Sequence, residues 1–394
     1  MPRKIAVARG KFQVYLLESL EQFAELKTVW LDLERQTDQP CFFQSYAWCG
    51  HVAEVLMRTL PDRYTPLVAY ATQDGVPVAL WPLSRQKRSG TWQLRPIDDP
   101  FGQFSGILGR DADAIIALVA ATLLMVRERK LADAVRLEFV LAGSPLECAL
   151  QQSGLRSRGE VGAPYLDTRL WPSIAELKAS RNKKTMKNLR NSNNRLSKAG
   201  AYEHRYETDK DRVGNIINAT LQRRTAWLEE KGLTAPQFRS AAHEEIISGG
   251  QLWGLDKGRV GYELLCGGNA IAHQWGFMHQ KRYYAFMSAI DPDAVQLSPG
   301  RLHLSFVIAD AMREGIETIE MLTPASEYKL VWTDTVRTLR DMAMPLTPAG
   351  WAVDLLWERT LRPVVKTCFY ALPARLRKFA LPNDANRDRD DGKD

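Results

Sequence analysis

Glu320, His273, Tyr328 and Lys329 are the side chains of this 394-residue chain whose types and placement suit proton transfer. A carboxylate and a histidine can each take a proton near neutral pH, and a tyrosine can return one. Lys329 adds a cation able to hold a phosphate or carboxylate. Each has a second reading. Glu320 lies in an apolar run, residues 316–322, where a carboxylate can simply bond a neighbouring basic residue. His273 shares a strand face with Trp275 by period-two alternation and can equally be a satisfied core histidine. Tyr328 and Lys329 can do no more than cap a strand end. Upstream, Gln296, Ser298, Gly300 and Arg301 surround a Ser-Pro-Gly loop at a helix start, where backbone N–H groups can hold anions. Trp275, Tyr284 and Trp332, with Tyr283 and Trp253, offer aromatic faces that suit sugar rings or else fill a core. No Ser-His-Asp order, HExxH, Walker loop or EF-hand is present, and no cysteine or histidine spacing suits a metal. Covalent and metal mechanisms have no support in the sequence, and direct attack between two bound substrates remains.

These residues must be positioned by the stretch 261–332. Residues 261–267 read as a strand, Gly267-Gly268-Asn269 as a turn, and 270–278 as its hairpin partner. A second turn at 279–281 leads to an aromatic-rich strand, 282–290, ended by Asp291-Pro292. The loop 296–300 then feeds a helix, 301–314, in which Leu304, Val307, Ile308 and Ala311 fall at helical spacing. Gly315 stops it, 316–322 makes a buried strand, and 327–332 carries Glu-Tyr-Lys-Leu-Val-Trp. Hairpin, strand, loop-initiated helix and crossover strand is the element order of a GNAT-type N-acyltransferase core.

The residues from Tyr283 to Gly315, followed by the segment ending in Tyr328, Lys329 and Trp332, resemble the GNAT-type domain of the CelD/FemAB-like family, which is associated with exopolysaccharide biosynthesis. The likeness spans about 171–340, and the first half resembles the companion domain more loosely. It implies an α/β fold of mixed sheets in tandem GNAT-like domains. It also implies an N-acyltransferase acting on an amino sugar of an exopolysaccharide or its lipid-linked precursor, with acyl-CoA (acetyl-CoA) as co-substrate and no metal. An acidic residue is usual in that family at the position of Glu320, which makes it the first choice for general base, with His273 next. Ordinary GNAT enzymes bind the coenzyme A pyrophosphate with a Gln/Arg-x-x-Gly-x-Gly/Ala loop. Here Gly300 stands one residue too far from Gln296, and Pro299 lacks the N–H the cradle would use. FemAB-type relatives use aminoacyl-tRNA, so a tRNA-dependent transferase is the alternative. A binding or regulatory module that has lost the donor site is a third reading, and a plugged cleft beside Ser298 would favour it.

The length suits two domains, expected at 1–168 and 172–345 with a break at Trp171-Pro172, followed by a basic amphipathic extension and tail, 346–394. A composition of 45% hydrophobic and 25% charged residues is that of a globular protein, and no apolar run reaches the ~18 residues of a spanning helix. The N-terminus lacks an apolar core and cleavage site, and the five dispersed cysteines read as reduced thiols, so the expected location is cytoplasmic. The net charge of +7 is uneven. Residues 178–200 hold eight Lys and Arg and no acid, with Met186, Leu189 and Leu196 as a narrow apolar stripe. This reads as an amphipathic helix with a cationic outer face: either plainly solvated, or facing phosphate-bearing ligands, RNA or an anionic membrane.

Before residue 168 the expected elements are a strand at 12–17, helices after Ser19 and Ser45, and a hairpin turning at Asp74-Gly75. A strand at 91–97, a Gly-rich loop, a helix at 112–130, a strand at 134–140 and a short helix at 144–152 follow. That order recurs after Trp171, which argues for a structural repeat. Past Arg340, residues 351–381 alternate apolar residues with Arg and Lys in short helical pieces. They suit either the surface of a membrane on its inner face or packing onto the main domains. Residues 382–394 read as a disordered polar tail.

Overall fold

The computed structural model describes residues 5–37, 41–231, 241–333 and 335–371. The fold is mixed α/β and divides into two compact units. One comprises residues 1–161, 239–253 and 338–394, the other 162–238 and 254–337.

The first unit begins with β1 (Ile5–Arg9), β2 (Phe12–Leu17), α1 (Leu20–Glu25), α2 (Lys27–Gln36) and α3 (Tyr46–Thr59). Ser19 Oγ accepts from the Gln22 N–H, and Gln22 Oε1 in turn accepts from the Glu18 N–H, so both residues stop the helix from unwinding at its start. β3 (Tyr64–Gln73) and β4 (Val76–Arg88) form the expected hairpin, with Asp74 and Gly75 both at positive φ (50° and 79°) as a two-residue turn requires. β5 (Thr91–Pro96), β6 (Leu108–Gly109), α4 (Ala112–Glu128), β7 (Ala134–Leu141) and α5 (Pro145–Gln152) follow. β8 (Arg156–Asp167) ends the first half of the chain.

The second half supplies α6 (Ile174–Ser180), α7 (Lys183–Ala199), β9 (Tyr202–Glu207), α8 (Lys210–Glu230), α9 (Ala241–Ser248), β10 (Arg259–Cys266), β11 (Asn269–His279) and β12 (Arg282–Ile290). α10 (Pro299–Arg313), β13 (Thr318–Glu320), α11 (Glu327–Leu330), β14 (Val336–Pro345), α12 (Pro348–Ala352), a π-helical stretch (Val353–Leu361) and α13 (Arg362–Ala371) complete it. The expected single helix over 178–200 is two, because Ser180 and Arg181 end one before Asn182 caps the next through its side chain. Residues 372–394, the expected polar tail among them, lie outside the described residues.

The two sheets share one plan of pairing. In the first unit β2–β3, β3–β4 and β4–β5 are antiparallel, β5–β7 is parallel, and β7–β14 is antiparallel. In the second, β9–β10, β10–β11 and β11–β12 are antiparallel, β12–β13 is parallel, and β13 pairs antiparallel with the end of β8. Each set of strands is thus extended by a strand from the other half of the sequence. One core packs Val14, Leu83, Val135 and the apolar face of α4. The other gathers Leu189 and Leu196 of α7 with Tyr262, Val307, Ile308 and Trp332.

Candidate active site

The parallel pair β12–β13 positions the site. It is registered only over Arg282–Thr318, Tyr283–Ile319 and Tyr284–Glu320, and β13 ends there while β12 runs on to Ile290. A bulge explains the parting. Trp275 faces Met287 but Phe277 faces Tyr284, so Ala285 and Phe286 together stand opposite Gly276. A Cβ on Gly276 would lie 2.0 Å from the Tyr284 carbonyl oxygen, so only glycine admits this approach. Such a bulge bends its strand, here at the point where β13 stops. Burial changes with it: Tyr283 and Tyr284 are buried, whereas Ala285 to Ala289 are half-buried. The outcome is a gap in the strand pairing, here called the cleft, that runs from Glu320 along one edge of β12.

Glu320 occupies the closed end and is 1% exposed. Its Oε1 accepts from Arg282 Nη1 at 2.9 Å and from Arg337 Nη1, while Oε2 is buried without a hydrogen-bond partner among the described residues. The Arg337 guanidinium also lies 3.9 Å over the ring of Tyr165. The alternative reading of Glu320 as a paired strand carboxylate is therefore true of one oxygen, while the other is buried and unpaired among the described residues. Neither arginine was picked out from sequence, because they lie 38 residues before and 17 after their partner.

The far end of the cleft is the start of α10. A Cβ on Gly300 would meet Ile290 Cδ1 at 2.8 Å, which sets this glycine against the end of β12. Ser298 precedes the helix in the left-handed region (φ 53°), its N–H donating to the Val295 carbonyl. Pro299 removes one donor, leaving the N–H groups of Gly300, Arg301 and Leu302 as those of the first turn. Gln296 turns away, its side chain donating to the Asp293 carbonyl, and Arg301 bonds Glu327 at 3.0 Å. That last bond ties the loop to α11. Tyr328 on α11 is 39% exposed, whereas Lys329 is buried. Lys329 Nζ donates to the carbonyls of Leu322 (3.0 Å), Thr323 (3.4 Å) and Pro324 (3.1 Å), and burial, helped by Arg224, lowers its pKa to about 8. It holds the turn that follows Glu320. All three of its donor directions are thereby used.

His273 stands apart from this corner. Its Nδ1 accepts from Arg223 Nη1 at 2.8 Å, which places the ring proton on Nε2, facing Glu263 Oε1 at 3.1 Å. Burial and the adjacent guanidinium hold its pKa down to about 4. Arg223 also donates to the Ala270 carbonyl and to Asp291, whose other oxygen accepts from the Asp293 N–H. The histidine has no spare lone pair and serves a network that pins the loop before Gln296. Trp275, Tyr284 and Trp332 are 0–1% exposed, so none presents a ring face to a ligand. Trp253 belongs to the first unit, where its indole packs on Tyr46 and donates to Glu54.

Residues 183–330 match the family model for the GNAT acetyltransferase domain. The matched region runs from the start of α7 to the end of α11 and contains the whole cleft. Over that region the chain is similar to a GNAT acetyltransferase domain. Fold comparison agrees. The crystal structure of FemX superposes with a TM-score of 0.58 at 11% identity, over 84% of this chain and 98% of that one. The C-terminal domain of a protein described as a lysylphosphatidylglycerol synthetase, from Agrobacterium fabrum, gives 0.50 at 12%, over 87% and 97%. At these identities the likeness is one of fold. No curated protein matches the sequence. The GNAT domain together with this fold supports an acyltransferase.

Proposed function

We propose that this protein is an N-acyltransferase of the CelD/FemAB-like kind that acylates the amine of an amino sugar in an exopolysaccharide or its lipid-linked precursor. The observation that supports the reading is the end of β12–β13 pairing at Glu320, which leaves the rest of β12 unpaired on that side up to the start of α10. Its β12 edge, from Tyr284 to Ile290, is about 20 Å long at the ordinary rise per residue. The unpaired N–H and C=O groups of that edge suit the amides of an extended thioester arm, as a sheet edge accepts a peptide. An anionic far end of the donor would meet the first-turn N–H groups of α10. Glu320 Oε2 takes the proton from the attacking ammonium or amine. The neutral nitrogen adds to the thioester carbonyl, and the C–S bond breaks on collapse of the tetrahedral intermediate. The leaving thiolate takes a proton from Tyr328 or from water. Lys329 acts through the turn it holds.

A second reading, transfer from aminoacyl-tRNA, is favoured by two observations. Pro299 subtracts a donor from the phosphate end of the cleft, and α7 turns Lys183, Lys184, Lys187, Arg190, Arg195 and Lys198 outward. The two readings separate in one experiment. Purified protein is given acetyl-CoA or charged tRNA with amino-sugar acceptors, and polysaccharide from cells with and without the gene is analysed by mass spectrometry. Loss of an acyl mass from the polysaccharide supports the proposal. An unchanged polysaccharide refutes the acceptor class, and turnover only with charged tRNA refutes the donor.

A further inference from the structure

Among the described residues, the first unit exposes an apolar helical arm. Trp351, Leu355, Leu356, Leu361, Val364 and Val365 are each between 47% and 61% exposed. Six large hydrophobic side chains within 15 residues form a concentration of the kind that marks an interaction surface. Trp351, Leu356 and Leu361 stand five apart, which the π-helical stretch Val353–Leu361 brings near one side. Leu361, Val364 and Val365 continue on α13 at i, i+3 and i+4.

The base of the arm is fixed. Asp354 is buried and bonded to Arg136 at 3.3 Å and Arg158 at 3.1 Å. Thr347 bonds Asp133 at 2.7 Å, and Gly350 lies so close to the Asp133 carbonyl that a Cβ there would sit 1.9 Å from it. Beside Trp351 a groove of about 800 Å³ is floored by Leu123, Leu124, Met344 and Leu346 and flanked by Arg9 and Arg127. A helix of this length with no protein packed on it is marginal in water, so an anchored one with an apolar surface wants a partner. Charge says which. Over 351–371 the sequence has Arg359, Arg362 and Lys366 against Asp354 and Glu358, Asp354 is already neutralised by its two arginines, and Arg9 and Arg127 add cations at the groove.

We infer that residues 351–371 and the adjoining groove seat the protein on an anionic lipid surface, the exposed apolar side chains entering the acyl–headgroup boundary and the arginines of the groove meeting lipid phosphates. Among the described residues no helix is long and apolar enough to cross a membrane, so this is attachment to one face. The inference does not depend on the acyltransferase reading, and its test involves no turnover.

The test is sedimentation of the full chain with phosphatidylcholine vesicles, with and without phosphatidylglycerol. Binding is expected only to the acidic vesicles and to weaken with salt. Leu356→Ser together with Val365→Ser, both at exposed positions, should leave the melting temperature unchanged and lower vesicle partitioning by ~10-fold or more, as loss of two buried aliphatic side chains implies. Leu361→Ser with Val364→Ser is a second pair should the first impair folding. Failure of the wild type to bind, equal binding to neutral vesicles, or full binding by both folded pairs would overturn the inference. So would a wild-type dimer that either pair converts to monomer without any vesicle binding, because the arm would then cover a second copy of this chain.

Discussion

Replacing Glu320 by Gln isolates the feature on which the catalytic reading rests. The amide keeps the shape of the carboxylate and an oxygen for Arg282 and Arg337, but it puts an NH2 group where the unpartnered Oε2 lies. It therefore removes basicity and charge while leaving the backbone undisturbed. Two costs follow, and their sizes differ enough to be told apart. Two ion-paired hydrogen bonds become bonds from a charged guanidinium to a neutral amide oxygen; losing the counter-charge costs on the order of 1–1.5 kcal/mol at each, a loss of about 2–3 kcal/mol in stability. The arginines are 17% and 18% exposed, so water softens the loss and the larger penalty of a fully stranded buried charge does not apply. At about 2–4 °C per kcal/mol for a unit of this size class, the melting temperature should fall by ~4–12 °C. Catalysis should fall by ~10²–10⁴ if Oε2 is the base.

The assay is acylated amino sugar formed per enzyme at saturating substrates, at a temperature well below both melting transitions, with donor affinity measured by calorimetry. The expected result is a folded protein that binds donor normally and has lost most turnover. A folded Glu320→Gln protein with full turnover would eliminate the carboxylate as base. A fall of some 20 °C or more would show instead that the Arg282–Glu320–Arg337 cluster is chiefly structural.

Tyr328→Phe should lower turnover far less than Glu320→Gln, because water can replace a half-exposed hydroxyl donor; a loss as large as that of Glu320→Gln would give the tyrosine the greater role. The folded pKa values of His204, His243, His273 and His279 are each pushed down to about 4 by burial, against ~6.5 unfolded. The unfolded chain then binds more protons between these values, so stability should be full above about pH 6.5 and drop as the pH falls towards 4; a flat thermal profile over that window would refute the four assignments. Asp98 runs the other way. Burial raises its pKa to about 7, against ~3.9 unfolded, so Asp98→Asn, which can still accept from Trp48 Nε1, should raise the melting temperature progressively as the pH climbs from about 4 to 7 and leave it nearly unchanged below about pH 4, as calorimetry across that range would show.

Much of the scaffold was legible because it rests on local signals. Asp74-Gly75 and Gly267-Gly268 announce hairpins, since each pair must adopt positive φ, and all four residues do. Ser19 and Ser45 cap helices through their own side chains, whereas the caps at Asn182 and Asp209 went unread. The strands that went unread are those whose apolar pattern is weak. β8 carries Arg-Ser-Arg-Gly-Glu through its exposed first half, and β14 interleaves Arg337, Arg340 and Asp341. For β9 a signal did exist: Tyr202, His204 and Tyr206 alternate with Glu203, Arg205 and Glu207, and the first set is the more buried until the final pair. The crossing of β8 and β14 into the opposite sheets has no local signature at all, because it is decided by which edge is left to be closed.

The site was legible only where one residue could be placed by its own element. Glu320 was found at the end of a buried strand, yet what distinguishes its two oxygens comes from Arg282 and Arg337, and neither is its neighbour in sequence. The same gap separates His273 from its role. A histidine in a strand can be a base or a core residue, and Arg223, contributed by α8 some 50 residues earlier, decides the matter by occupying Nδ1. Aromatic residues fail for the opposite reason. Trp275, Tyr284 and Trp332 have the chemistry of a sugar platform, but a ring binds a sugar only with one face in solvent, and burial is a property of the assembled sheet. The bulge at Gly276 shows how little sequence such an effect needs. One glycine lets two residues face one, and β12 parts from β13 at that place, with a buried carboxylate where the pairing ends.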